Sequence, residues 1–283
     1  TIKPYLYALA MENGFSPCDE TRNVEITLID ENGKPWSPKN TSKGHYGEMV
    51  TLKWGLAQSN NWISAYLMSK LNPSQFVSTL HEFGINNPDI HPSMSLCLGP
   101  CDVSVEEMVS AYTTFANHGI RTSPMFVTKI EDNEGNVIST FQPRMNEVIS
   151  AESANKMLVL LQGVIDGGTG GRIRYKYHLE GEIGGKTGTT NKNSDAWFMG
   201  FTPQLVSGVW VGGEDRDIHF DNMSMGQGAT MALPIWAYYM RKVYRDISLG
   251  YSDKATFGLP ANFDPCLKED NGYGDDQIDE VYE

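Results

Sequence analysis

One short block constrains this chain more than any other: Gly184-Gly185-Lys186-Thr187-Gly188-Thr189-Thr190. It opens a series of three strand-like runs, near 182–189, 195–201 and 205–212. The links between them are short and rich in turn formers, Asn191-Lys192-Asn193-Ser194 and Thr202-Pro203-Gln204. Strands joined so tightly run antiparallel. The first of them is unusual, because glycines weaken a strand and are kept where another backbone or a ligand comes close. A lysine and two threonines on such a strand offer a cation and two hydroxyls to an anionic group.

Two further segments fit the same chemistry. Ser59-Asn60-Asn61 falls between a short helical pattern over 50–57 and another over 62–71. A serine and an asparagine two apart at a helix–helix junction can aim into one cleft, although such a triplet alone more often caps a helix. The chain begins Thr1-Ile2-Lys3-Pro4-Tyr5-Leu6-Tyr7. Pro4 suits the first turn of a helix ending near Gly14. A serine placed before Thr1 would complete S-x-x-K, with Lys3 one turn away and able to take the serine's proton. S-x-x-K, S-x-N and K-T-G are the three parts of a serine acyl-transfer site.

With these motifs in that order, the chain resembles the transpeptidase domain of class A, bifunctional penicillin-binding proteins. Ser104-Val105-Glu106-Glu107-Met108, Ala111–Asn117, Gly167-Gly168-Thr169-Gly170 and Asp195–Pro203 extend the likeness over roughly residues 1–246. The resemblance implies an α+β fold of the penicillin-binding protein/β-lactamase kind, an antiparallel sheet flanked by helices with a helical subdomain. The family's N-terminal strands are missing, which leaves one sheet edge exposed or otherwise covered. Residues 1–260 are expected to form the partial transpeptidase domain, and 261–283 an acidic tail or linker.

The resemblance also assigns roles. Lys3 is the base for the missing serine. Ser59 relays a proton to the leaving nitrogen, and Lys186 holds Ser59 and adds positive charge. Asn61 orients the substrate amide. Thr187 and Thr189 bind a terminal carboxylate, with Gly188 between them giving close approach. The backbone N–H of Thr189, with that of the serine, forms the oxyanion hole. The implied partners are peptidoglycan stem peptides and β-lactam antibiotics. No cofactor and no metal are implied. A family member works on the periplasmic face of the inner membrane, anchored upstream and preceded by a glycosyltransferase domain, and a piece lacking the serine is expected to be inactive. Rival readings are a D,D-carboxypeptidase or β-lactamase-type hydrolase at the same site, or a non-catalytic module that binds stem peptides or penicillins.

Composition narrows the field. Net charge is −13 and the isoelectric point about 4.9, which argues against nucleic acid. Residues 264–283 alone carry eight acids and one base, hence the tail assignment. The six histidines and four cysteines show no metal spacing. Cys97 and Cys101 flank a possible turn, but spacing does not fix disulfide geometry, so both read as free thiols. Ser153-Ala154-Asn155-Lys156 is a complete S-x-x-K. It follows the S-x-N element, the wrong order, and is read as lying on the polar side of an amphipathic helix over 150–166. Gly167–Arg172 lacks the ending of a phosphate loop and reads as a flexible turn. A capping box at Ser104 and Glu107, a helix over 73–83, a hairpin across Asp132–Gly135, and a closing helix near 233–246 complete the pattern. That last helix is expected to turn Ile235, Trp236, Tyr239 and Met240 toward the sheet.

Overall fold

A computed structural model describes residues 1–42 and 44–268. Most of the expected acidic tail, 269–283, therefore lies outside the described residues. The architecture is α+β, built around one helix. Helix α1 (Lys3–Glu12) is buried on every side from Lys3 to Met11, as a helix apolar all round must be. Tyr5 stacks within an aromatic group formed by Phe83, Tyr112 and Phe115.

Strand β1 (Glu20–Arg22) pairs antiparallel with β4 (Met49–Thr51), and between them β2 (Leu28–Ile29) pairs with β3 (Pro35–Trp36). The helical part follows: α2 (Leu52–Ala57), α3 (Asn61–Lys70), α4 (Pro73–Glu82) and α5 (Val105–Ala116). Pro73 sits in the first turn of α4, and the Ser104–Glu107 capping box opens α5 as expected. Two small ladders come next. Strand β5 (Ile120–Thr122) pairs with β8 (Met145–Glu147), and β6 (Lys129–Glu131) pairs with β7 (Val137–Thr140) across the expected turn.

Helix α6 (Ala151–Asp166) leads through the short α7 (Arg172–Tyr175) into the sheet. Its strands β9 (Gly184–Thr189), β10 (Asp195–Phe201) and β11 (Val206–Gly212) are antiparallel in the order β11-β10-β9, so β9 is an edge strand. Period-two alternation divides β10 between two cores. Phe198 packs on Trp236, while Met199 and Phe201 join the helical core around α1. A short α8 (Met223–Gly226) precedes α9 (Gly228–Arg245), which covers the other face of the sheet.

Three readings need correction. In α9 the buried stripe is Ala229, Ala232, Leu233, Trp236, Ala237, Met240 and Val243, whereas Ile235 and Tyr239 are exposed. The helix begins five residues earlier than expected. Fixing the phase from Trp236 and Met240 leaves positions 235 and 239 about 100° off the stripe. In α6, Met157, Leu158, Leu160, Leu161 and Val164 are buried as expected, but so are Ser153 and Lys156. The helix packs against α1, α2, α5 and β9, so little of its circumference remains polar surface. Lys156 is paired with Glu152 at 2.6 Å, and among the described residues no hydrogen bond joins Ser153 to Lys156. The third correction concerns Gly167–Arg172, taken up below.

Cys97 and Cys101 are free. Cys18 and Cys266, 248 positions apart, form a disulfide that the spacing did not reveal. It ties the described start of the acidic segment to the loop ahead of β1, beside an ion pair between Lys268 and Asp19. Among the described residues, no helix is long and apolar enough to cross a membrane.

Candidate active site

The local sequence around Ser59 makes an abrupt helix-to-helix corner. Helix α2 ends at Ala57, and Ser59 stands in the left-handed region with φ 53°. Glycine is the usual residue there, because a Cβ adds strain. A serine held in this conformation points to a side chain needed at that place. Asn60 locks the corner from inside. It is fully buried, its Oδ1 accepts from the amides of Trp62 and Ile63 to cap α3, and its Nδ2 donates to Asn23 Oδ1 and Ser42 Oγ. The cap is thus the middle residue of the triplet rather than the serine, which leaves Ser59 free to face outward.

Two lysines converge on Ser59 from distant elements. Lys186 Nζ, on β9, donates to Ser59 Oγ at 2.8 Å and to the Thr187 carbonyl at 2.9 Å. Lys3 Nζ, on the first turn of α1, donates to the Ser59 carbonyl at 2.6 Å, to Ser59 Oγ at 3.4 Å and to Asn61 Oδ1 at 2.5 Å. Both lysines are buried, at 8% and 1% exposure, and among the described residues neither has an ion pair. Burial without a counter-charge disfavours the ammonium. Lys3 is drawn down from 10.5 to about 7, by burial first, with Cys97 acting in the opposite direction. Lys186 is pushed well below its ordinary value, by burial first and then by repulsion from Lys3.

Asn61 is engaged at both ends of its side-chain amide. Its Oδ1 accepts from Lys3, and its Nδ2 donates to the Lys39 carbonyl at 2.6 Å. A ligand amide reaching Nδ2 must therefore displace that carbonyl or share the donor with it.

The threonines of β9 lie on the opposite face from Lys186, by strand alternation. Thr187 is buried, and its Oγ1 lies 2.7 Å from Thr169 Oγ1. Thr189 Oγ1 accepts from the Gly228 amide at the start of α9. Gly188 lies against the beginning of α1: an added Cβ would come within 2.9 Å of the Thr1 nitrogen. Tyr112 OH donates to the Thr1 carbonyl at 3.0 Å and fixes that end of the helix. The Thr190 amide donates across to Asp195 O on the β10 side. Successive residues of a strand direct their amides to opposite sides, so the Thr189 amide faces the free edge of β9.

Lys3, Ser59, Asn61, Lys186, Thr187, Gly188 and Thr189 thus lie around one edge of the sheet. Sequence reasoning missed Thr169 as part of this neighbourhood, because the glycines around it suggested flexibility. Chemically, the arrangement supplies a hydroxyl between two amines, one of them titrating near neutrality, beside a strand edge with an outward amide and two hydroxyls. That set suits proton relay and anion binding at a carbonyl centre. A groove between α2 and α6, lined by Lys53, Trp54, Gln58 and Gln162, has none of these groups in its lining.

Comparison with known proteins bears on the family and the fold. The sequence profile of the penicillin-binding protein transpeptidase domain matches residues 1–215. Penicillin-binding protein 1A of Neisseria lactamica is 34% identical over 253 residues, covering 85% of this chain and 30% of that protein. Penicillin-binding protein 1A of Aquifex aeolicus is also 34% identical, covering 86% of this chain and 32% of that protein. The chain therefore spans about a third of the length of these relatives. The crystal structure of penicillin-binding protein 1A from Haemophilus influenzae superposes with a TM-score of 0.81 at 28% identity, covering 96% of this chain and 46% of that one.

Proposed function

The chain belongs to the penicillin-binding protein transpeptidase family, and from that premise we propose that the intact protein is a serine-type peptidoglycan D,D-transpeptidase. It acylates itself on a stem peptide ending in two D-alanines, then passes the acyl group to an amine of a neighbouring stem peptide. β-Lactams enter as mimics of the D-alanyl-D-alanine end. The observation that carries this reading is the placement of Ser59 Oγ within reach of both amines, with Lys3 drawn down to about 7.

In the first step a serine immediately before Thr1 attacks the penultimate carbonyl. Lys3, as a neutral amine, takes the serine proton. The amide of Thr189 and that of the serine donate to the developing oxyanion, and a donor so placed is worth roughly 3–4 kcal/mol in the barrier. The intermediate collapses as Ser59 passes a proton to the departing D-alanine nitrogen and regains one from the Lys3 ammonium, whose Nζ lies 3.4 Å from its Oγ, while Lys186 holds Ser59 Oγ. Thr187 and Thr189 bind the terminal carboxylate, and Asn61 orients the peptide amide. In the second step the acceptor amine attacks the ester and the proton path reverses.

A polypeptide starting at Thr1 lacks that serine and is inactive in this scheme. Thr1 cannot replace it, since it lies one position along the helix and about 100° away. The Cys18–Cys266 disulfide supports an extracytoplasmic site of action, where such bonds persist. Membrane anchoring and a glycosyltransferase domain belong to the upstream part of the protein in this reading. The test is intact-mass spectrometry of the full-length protein after exposure to a penicillin, followed by product analysis with a stem-peptide donor and an added amine. A stoichiometric adduct and an amine-linked product are expected. No adduct on folded protein rules out the enzyme, and hydrolysis alone assigns a carboxypeptidase.

A further inference from the structure

The turn after α6 is far from flexible. Gly168 approaches the end of α2 so closely that an added Cβ would lie 2.2 Å from the Ala57 carbonyl. The Thr169 amide donates to that same carbonyl at 2.9 Å, and the Gly170 amide returns to Val164 O at 3.0 Å. Gln58 Nε2, one residue before Ser59, donates to the Gly167 carbonyl at 3.0 Å. On the far side, Arg172 donates to Ala229 O and Thr230 Oγ1 at the start of α9. The turn is therefore fastened to the helix that delivers Ser59 and to the helix that holds Thr189. At its centre the Thr169 hydroxyl meets the Thr187 hydroxyl at 2.7 Å.

We propose that Thr169 is a positioning residue that sets the direction of the Thr187 proton, so that Thr187 meets a substrate carboxylate as a donor. The inference rests on the reading of Thr187 as a carboxylate ligand. A threonine hydroxyl carries one proton and two lone pairs. If Thr187 spends its proton on Thr169, it offers an anion only lone pairs, which repel it. If Thr169 donates into Thr187, the Thr187 proton is free to point along the open edge of β9. With an anion bound, only the second arrangement satisfies both hydroxyls. Thr169 is held for this by its own backbone bond to Ala57, so donating to Thr187 requires no rearrangement of the turn.

The experiment compares acylation of the full-length protein by a penicillin and by the methyl ester of that penicillin, which lacks the carboxylate charge. Variants are Thr169→Val, Thr169→Ser, Thr187→Val and the double valine. Thr169→Val is expected to slow the free acid about fivefold and the ester less than about twofold, the scale of one hydrogen bond between neutral hydroxyls. Thr169→Ser is expected to restore the free-acid rate, and the double variant to be no slower than Thr187→Val alone. Equal slowing of acid and ester would show a merely structural role and overturn the proposal, as would additive losses in the double variant. Should Thr187→Val leave the acid-to-ester ratio unchanged, the carboxylate reading of Thr187 falls first and this inference falls with it.

Discussion

The depressed Lys3 amine offers a direct test of the proposed chemistry, through the substitution Asn61→Asp. Asn61 Oδ1 accepts from Lys3 Nζ at 2.5 Å, and burial without a counter-ion draws Lys3 from 10.5 to about 7. At pH 7.4 roughly 70% of Lys3 is then the free base, against roughly 0.1% for an ordinary lysine. Between pH 5 and 8 the free-base fraction climbs roughly 90-fold, so penicillin acylation should rise with pH along a limb centred near 7. A carboxylate at position 61 places an opposite charge in contact with the amine, which raises its pKa by roughly 1–3 units. For a shift of about 2 units, the free base at pH 7.4 falls roughly thirtyfold and returns as pH climbs past about 9. The assay is the second-order rate of acylation of the full-length protein by a fluorescent penicillin from pH 5 to 9.5. The expected result is a limb displaced to higher pH, with part of the lost rate recovered there. A loss of the same size at every pH would refute the reasoning, because it would show that Asn61 does not act through Lys3. Stability gives an independent check. The folded-state pKa is depressed, so the unfolded chain binds the extra proton between about 7 and 10.5. This group therefore adds stability as pH rises through that window, and Asn61→Asp should flatten the rise.

Lys186→Ala should slow penicillin acylation of the full-length protein by about 10²–10³-fold, while urea midpoints change much less; parallel losses would mark Lys186 as a structural residue. Trp236→Ala removes the indole that α9 packs on Phe198 and should lower unfolding free energy by about 3–5 kcal/mol, read by chemical denaturation. Reducing the Cys18–Cys266 bond should lower stability by about 2–4 kcal/mol, seen as a fall in Tm under a non-thiol reductant and absent in a Cys18→Ser/Cys266→Ser variant. Intact-mass spectrometry should detect no penicillin adduct on a polypeptide starting at Thr1, and a stoichiometric adduct on the full-length protein.

The sequence by itself determined whatever depends on neighbours along the chain. The three strands could be bounded to within about two residues, because alternation and turn residues are local signals. The Ser104–Glu107 capping box and the buried face of α6 were legible for the same reason. So were the three segments from which the site is built, since their residue types are set by chemistry. Tertiary structure decided the rest. That Ser59, on a left-handed corner, receives bonds from amines 56 and 127 positions away is a matter of packing. Asn60 rather than Ser59 became the cap because Asn23 and Ser42 come up behind it. Ser153 and Lys156 were read as surface residues, since periodicity records polarity but not how many neighbours enclose a helix. The pairing of Cys18 with Cys266 depends on where residues 251–268 return across the core. Glycines 167, 168, 170 and 171 suggested mobility, and the fold uses that freedom differently. Without a Cβ at Gly168 the turn lies directly on α2, and this contact brings Thr169 to Thr187.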